Sequence, residues 1–142
     1  MGLTRCYKTE FFTFILFMDY IPGTDIHNNN ILFVEAMEEY CSLEAFRPRC
    51  WKNEVVLVED AYYGRRRTGK CISAKQASRL QGPDYFGCYA NVLGIVSRTC
   101  SGKKECEISV PDPDLERTMP CLEGLKMFLE VRYSCVAGRP KL

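Results

Sequence analysis

The chain has 142 residues, of which 46% are hydrophobic and 26% are charged, and its formal net charge is +1. This length leaves room for one domain with a substantial core and hardly for two. Because the net charge is close to zero, bulk attraction to nucleic acid or to an anionic membrane surface is excluded, and we expect no nucleic-acid partner. The composition is that of an ordinary globular domain.

The N-terminal segment has a basic start followed by a short apolar run. Arg5 and Lys8 precede the run Phe11 to Met18. This pattern favours a signal peptide over residues 1–23, with a disordered leader as the alternative. The run is much shorter than the roughly twenty apolar residues that a membrane span needs, and no later stretch qualifies, so we expect no membrane span in this chain.

Beyond that segment, the chain divides by composition into a leader, a domain and a tail. Residues 24–30 are mostly polar, and a polar leader is predicted over residues 24–37. The folded domain is expected over residues 38–136, and residues 137–142 form a short tail. No internal repeat is visible within the domain, so a single module is expected.

Cysteine is the most informative residue type in the chain. Eight of the nine cysteines lie between Cys41 and Cys135, while Cys6 stands alone far upstream. An even number of cysteines in a short segment indicates a disulfide framework, which requires an oxidising compartment and hence secretion. Structural zinc is the alternative, but its sites usually contain a short CxxC-type pair, and none occurs here.

Hydrophobic periodicity predicts three strands and one helix. The strands cover Glu54 to Tyr63, Glu105 to Val110 and Phe128 to Cys135, and the first is apolar enough to be buried on both faces. In the third, strict alternation predicts that one row of side chains faces inward while Glu130 and its alternates face water. A 3.6-residue period from Val92 to Ser97 predicts the helix. The predicted fold class is therefore α+β: a small, disulfide-stapled domain with antiparallel β-strands and one or two short helices.

Residue types that catalysis requires are scarce in the folded segment. The only histidine, His27, precedes it, and cysteines held in disulfides cannot act as nucleophiles. Asp112 and Asp114 pair two acids within the sequence PDPD, a pattern more typical of a capped turn than of a hydrolytic site. We therefore predict that the chain is not an enzyme and needs neither a cofactor nor a metal.

A cluster of basic residues directly follows the first predicted strand. It consists of Arg65, Arg66, Arg67 and Lys70. Guanidinium groups bind sulfate, phosphate and carboxylate groups through paired hydrogen bonds, so the cluster is a candidate for binding anionic glycans. A solvated hairpin loop is the preferred interpretation for the last three residues, and both interpretations stay open for Arg65.

Three motifs in the folded segment resemble those of one known family. Residues 61–65 read AYYGR and are similar to the AxYGR signature, and residues 100–106 read CSGKKEC and are similar to the CxGKxxC loop. Residues 128–135 read FLEVRYSC and are similar to the KYLxVxYxC ending. The chain beyond residue 38 thus resembles the sea-urchin-egg-lectin (SUEL) type of galactose- or rhamnose-binding lectin domain. Such domains also occur in latrophilin-type and Eva-1-type receptor ectodomains.

The resemblance implies a disulfide pattern, a set of binding residues and a function. The implied disulfides are Cys41–Cys71, Cys50–Cys135, Cys88–Cys121 and Cys100–Cys106. The implied ligand-binding residues are Tyr63, Gly64, Arg65, Asp112, Gly124 and Lys126. Lectins of this family hold vicinal sugar hydroxyls, so the implied function is extracellular carbohydrate binding, with glycans or glycoproteins on cell surfaces as partners.

Two positions that are acidic in the family depart from its pattern, and the family's lysine position aligns best with Met127, which leaves Lys126 one residue away. Ser42 stands where an acid is expected after the first cysteine of the framework, and Met119 replaces an Asp before the seventh. Because neutral hydroxyls need paired acceptors and donors, the sugar site is expected to be partly degraded. We expect rhamnose and galactose to bind weakly or not at all, and any glycan that binds well to be anionic. The alternative is a protein–protein interaction module of a cell-surface receptor or adhesion type that no longer binds sugar.

Overall fold

The computed structural model describes residues 36–80 and 82–140, and the predicted signal peptide and most of the leader lie outside them. In chain order the elements are β1 (Glu38–Tyr40), β2 (Ala45–Phe46), β3 (Glu54–Gly64), α1 (Ala74–Ala77), β4 (Tyr89–Asn91), α2 (Leu93–Cys100), β5 (Ile108–Ser109), α3 (Pro113–Glu116) and β6 (Phe128–Ala137). The α+β class and the antiparallel pairing are confirmed. The described residues contain three short helices, where one or two were expected.

Two long strands form the centre of the fold. β3 and β6 pair antiparallel from Glu54 opposite Ala137 to Gly64 opposite Phe128, with a bulge at Glu59. β1 joins the free side of β6 and β4 joins the free side of β3, which gives a four-stranded sheet in the order β1-β6-β3-β4. The two predicted long strands are therefore confirmed at nearly their full lengths.

The predicted strand over residues 105–110 is much shorter in the structure. Only Ile108 and Ser109 pair as β5, against β2, and Glu105 makes an isolated bridge with Arg49. The alternation within this segment is nevertheless correct, since Ile108 is buried and Ser109 is exposed. The strand is short because β2, the strand with which it pairs, is only two residues long.

The core lies between one face of the four-stranded sheet and α2. Val96 and Cys100 of α2 are fully buried, as the helical period of this segment predicted. The sheet and the surrounding loops contribute Phe46, Val56, Val58, Ala61, Tyr63, Ile108, Val110, Leu115, Leu129 and Val131. Burial of one such Val, Leu or Phe side chain stabilises a fold by roughly 1.5–3 kcal/mol. The prediction that β3 is buried on both faces is only partly correct, because Leu57 is 43% exposed.

On the opposite face of the sheet, one side chain that was predicted to be exposed is buried. Glu130 on β6 was predicted to face water, yet it is only 1% exposed. The loop that follows β3 folds back over it, and Arg66 and Arg67 donate to its carboxylate. Period-two alternation places Glu130 correctly on the outer face, but it does not reveal that a loop covers that face.

Four disulfides hold the loops to this framework. They join the pairs that the resemblance implied, namely Cys41–Cys71, Cys50–Cys135, Cys88–Cys121 and Cys100–Cys106. The first ties the end of β1 to the loop after β3, and the third ties the approach to β4 to the segment that follows α3. Within residues 36–80 and 82–140, no helix has the length and apolar character that crossing a membrane requires.

Candidate functional site

A cleft of about 390 Å³ opens where the end of β3, α3 and the segment between α3 and β6 meet. We call it the α3 cleft. Its polar and charged lining comes from Ser42, Tyr63, Glu116, Glu123 and Lys126. Its apolar lining comes from Pro111, Met119, Leu122, Leu125 and Met127. A volume in the range of about 300–1,000 Å³ with a few convergent polar groups is typical of small-molecule sites.

The floor of the α3 cleft is a hydrogen-bonded pair. The hydroxyl of Tyr63 donates to Oε1 of Glu116, and Tyr63 is only 1% exposed. Burial raises the pKa of the Tyr63 hydroxyl well above its usual value, and the hydrogen bond and charge of Glu116 raise it further. Tyr63 is therefore a neutral donor at physiological pH. It holds Glu116 in place, while Glu116 presents its carboxylate to the cleft.

Glu116 was not singled out from the sequence. It lies at the end of α3, whose N-terminus is capped by Asp112 and begins with Pro113. Asp112 Oδ1 accepts from the N–H groups of Asp114 and Leu115, which confirms the interpretation of PDPD as a capped turn. An Asp followed by Pro is a recognised helix start, and that signal could have pointed to a helix carrying a glutamate.

The residues implied by the resemblance divide into two groups. Gly124 and Lys126 line the α3 cleft together with Tyr63. Gly64 instead packs against β4, where an added Cβ would lie 2.4 Å from the carbonyl oxygen of Cys88, and its φ of +143° also favours glycine. Asp112 serves as the cap of α3 and, among the described residues, is not part of the cleft lining.

Comparison with known proteins identifies the family of this domain. The family model for the D-galactoside/L-rhamnose binding SUEL lectin domain matches residues 48–135. The match covers more than half of the chain and includes three of the four disulfides in full. The chain belongs to the SUEL lectin domain family.

Two kinds of relative are similar to this SUEL domain. Protein eva-1 homolog C from Homo sapiens is 33% identical over 96 residues, which cover 68% of this chain and 21% of the relative. The same protein from Mus musculus is 31% identical over 96 residues. The L-rhamnose-binding lectin SML from Scomberomorus niphonius is 32% identical over 95 residues, which cover 67% of this chain and 44% of the lectin. The SUEL domain thus spans less than half the length of each of these relatives.

The two positions that depart from the family pattern both face the α3 cleft of this SUEL domain. Ser42 and Met119 both belong to its lining. Met119 is 75% exposed and has a φ of 39°, a backbone conformation that is unusual for a methionine. At these two positions the cleft carries a hydroxyl and a thioether, and its carboxylates are those of Glu116 on α3 and of Glu123.

The basic cluster after β3 is largely neutralised within the SUEL domain. Arg66 and Arg67 bind Glu130, and Lys70 Nζ lies 2.8 Å from the carboxylate of Glu44. The guanidinium of Arg66 also lies over the ring of Tyr62, 4.3 Å from its centroid, in a cation–π contact. Arg66 and Arg67 thus hold the loop onto the sheet through a buried carboxylate, which differs from the solvated loop that was expected, whereas Lys70 makes a surface pair.

Proposed function

We propose that this SUEL domain is a non-enzymatic, extracellular recognition module that binds a saccharide in the α3 cleft. The observation that carries the proposal is the convergence of Glu116, Lys126 and Ser42 on one cleft of suitable volume. Sugar hydroxyls require both acceptors and donors, because each buried hydroxyl left unpaired costs roughly 1–3 kcal/mol. Glu116 supplies acceptors, the Lys126 ammonium supplies donors, and the hydroxyl of Ser42 supplies both.

The pair of Tyr63 and Glu116 supports a binding role over a purely structural one. Tyr63 holds one oxygen of Glu116, so the carboxylate loses little conformational entropy when a ligand arrives. A preorganised acceptor of this kind is a feature of sites that recognise hydroxyl groups. The acceptor pattern differs from that of the family because Ser42 and Met119 replace acids, so the preferred sugar is expected to differ from rhamnose and galactose.

An extracellular location is supported by the disulfides. Four disulfides in a segment of about one hundred residues are typical of proteins that fold in an oxidising compartment. The predicted signal peptide over residues 1–23 is the corresponding route of export.

The proposal is tested with a glycan array followed by calorimetry on the best glycan. Glu116→Gln keeps an acceptor for Tyr63 but removes the charge, so it should weaken binding by about tenfold or more, since hydrogen bonds to charged groups contribute about 1.5–3 kcal/mol. Glu105→Gln is the matched control, because Glu105 pairs with Arg49 on the surface and does not line the cleft. Absence of any glycan ligand, or equal affinity of the Glu116→Gln and Glu105→Gln variants, would overturn the proposal.

A second candidate function is protein recognition through the mouth of the same cleft. Two apolar side chains that line the cleft are exposed: Met119 by 75% and Leu122 by 45%. Exposed apolar groups that lie together are typical of protein interaction sites, and methionine adapts readily to different partner shapes. Binding to receptor-bearing cells before and after enzymatic removal of their glycans separates the two functions. Binding that survives the treatment and is lost in Met119→Ser favours a protein partner.

A further inference from the structure

A second cleft adjoins the α3 cleft and shares Lys126 with it. It has a volume of about 260 Å³, and we call it the basic cleft. Its lining includes Ser42, Arg65, Ile72, Gln76, Lys126 and Met127. Among the described residues, Arg65 and Lys126 are the charged side chains that line it, and no carboxylate does. The α3 cleft differs in this respect, since Glu116 and Glu123 contribute to its lining.

Arg65 is incompletely hydrogen-bonded in this position. Its Nη1 donates to the carbonyl oxygen of Tyr85 at 3.1 Å, but its Nε is buried and has no hydrogen-bond partner within the described part of the chain. Burial lowers the pKa of the Arg65 guanidinium, which nevertheless remains charged at physiological pH. A buried donor without a partner is costly, so the guanidinium of Arg65 is left with unused hydrogen-bonding capacity.

The rest of the basic cluster does not compete for such an anion. Arg66 and Arg67 are bound to Glu130, and Lys70 is bound to Glu44. In the described residues, Arg65 is the member of the cluster that has no carboxylate partner. Of the cluster's four charges, Arg65 is the one that lines the basic cleft.

A third polar group completes the lining. Gln76 belongs to the capping box of α1, and its Oε1 accepts from the backbone N–H of Ser73 at 2.9 Å. This hydrogen bond fixes the orientation of the carboxamide, so its NH2 group remains a donor. An oxyanion in the basic cleft would thus meet donors from Arg65, Lys126 and Gln76.

We propose that the basic cleft binds the sulfate or carboxylate group of an acidic saccharide whose sugar ring occupies the α3 cleft. The two clefts share Ser42, Lys126 and Met127, so one ligand can reach both. The guanidinium of Arg65 binds the oxyanion with charge-assisted hydrogen bonds, and Lys126 lies between ring and anion. This assignment rests on the proposed function, and it names the class of saccharide.

The experiment is an NMR titration of the folded domain with four probes: D-galactose, galactose 6-sulfate, D-galacturonic acid and inorganic sulfate. We expect at least one acidic sugar to bind about tenfold or more tightly than galactose and than inorganic sulfate, with affinity falling as salt rises. Arg65→Gln and Lys126→Gln should each reduce that affinity about fivefold or more. Lys75→Gln is the matched control, since Lys75 is exposed on α1 next to Gln76 but does not line the cleft.

The outcomes separate this inference from the proposed function. Equal affinities for galactose and both acidic sugars, with binding still sensitive to Glu116→Gln, would overturn the anion site and leave the saccharide site standing. Inorganic sulfate binding as tightly as the acidic sugars, with no effect of Glu116→Gln, would overturn both and favour an acidic protein partner. An equal loss in Lys75→Gln and Lys126→Gln would show a diffuse charge effect and would also overturn the assignment. Because Lys126 is exposed, Lys126→Gln decides the question even if Arg65→Gln impairs folding.

Discussion

The carboxylate of Glu130 lies beneath the guanidinium of Arg66, which donates to both of its oxygens at 2.8 and 3.1 Å. Arg67 Nε donates to the same carboxylate at 2.5 Å. The two arginines belong to the loop after β3, and Glu130 lies in the middle of the sheet. This cluster therefore fixes the loop that begins with Arg65, and with it one wall of the basic cleft.

Glu130→Gln should destabilise the domain, because it leaves two cations without a counter-charge. Breaking a fully buried ion pair costs about 3–5 kcal/mol, whereas exposed pairs contribute about 0–1 kcal/mol. Glu130 is 1% exposed, but the side chains of Arg66 and Arg67 are 27% and 46% exposed, which reduces the effect. We expect the free energy of unfolding in urea to fall by about 2 kcal/mol.

The control for this prediction is Glu105→Gln, whose partner Arg49 is 78% exposed. It should lower the free energy of unfolding by less than about 1 kcal/mol. Similar losses in the two variants would mean that the Glu130 cluster contributes no more than a surface pair. A change in the slope of unfolding against urea would instead indicate an altered denatured state.

The pair of Tyr63 and Glu116 predicts a loss of stability at alkaline pH. Burial, together with Glu116, raises the pKa of Tyr63 in the folded state, whereas the unfolded chain has a tyrosine pKa of about 10. The unfolded state therefore loses its proton first. The stabilisation that the raised pKa of Tyr63 reflects is complete below about pH 10, and it is lost progressively as the pH rises above that value. From pH 8 to pH 10.5 the loss due to Tyr63 is about 0.8 kcal/mol.

Tyr63→Phe should remove this part of the pH dependence. At pH 7 the variant is expected to be about 1 kcal/mol less stable, because it lacks the hydrogen bond to Glu116. Burial also raises the pKa of Tyr40, so the unaltered domain and the Tyr63→Phe variant both keep the part of the pH dependence that Tyr40 contributes. The measurement is urea unfolding at pH 8 and pH 10.5. The prediction would be contradicted if the free energy of unfolding fell as much between pH 8 and pH 10.5 in Tyr63→Phe as it does in the unaltered domain.

The long elements were predictable from the sequence because periodicity is a local property. β3, β6 and α2 each contain enough residues for a repeat of two or 3.6 to be visible. The environment of Glu130 was not predictable in this way, because a loop more than sixty residues earlier in the chain covers it. The period-two pattern identifies the face of the sheet on which a residue lies, and tertiary contacts decide whether that face is exposed to solvent.

The candidate site was predictable only in part, for a related reason. The family motifs named Tyr63, Gly124 and Lys126, and these three residues line one cleft in the structure. Glu116 was missed because α3 has only four residues, too few for a helical period to be visible. The sequence also could not show that Arg65 has a different environment from Arg66 and Arg67. Three consecutive arginines differ only in the groups that the fold brings next to them.

The disulfide framework predicts a definite mass and peptide map. Under non-reducing conditions the secreted protein should contain four disulfides, each linking the two cysteines that are bonded in the structure. Proteolysis followed by mass spectrometry measures the pairing directly. Stoichiometric zinc together with free thiols between Cys41 and Cys135 would contradict this prediction.

The N-terminal segment predicts a processing event. Expressed in a secreting cell, the chain should lose residues 1–23, and Cys6 with them. Removal of Cys6 would explain the odd total of nine cysteines, because the other eight are paired. N-terminal sequencing of protein from the medium checks this, and recovery of a chain that begins at Met1 would contradict it.

The two missing acids predict that free L-rhamnose and D-galactose bind very weakly or not at all. Each hydrogen bond to a charged group contributes about 1.5–3 kcal/mol, so the loss of two corresponds to roughly 3–6 kcal/mol, or about a hundredfold to more than ten-thousandfold in affinity. The double substitution Ser42→Glu and Met119→Asp should restore measurable rhamnose binding in calorimetry, because both positions face the α3 cleft. Aspartate also tolerates the positive φ of Met119 better than methionine does, so the substitution should not destabilise the loop. Submillimolar rhamnose binding by the unaltered domain would show that Glu116 already replaces the missing acids. A double variant that still binds no rhamnose would mean that the α3 cleft differs from a sugar site in more than these two side chains.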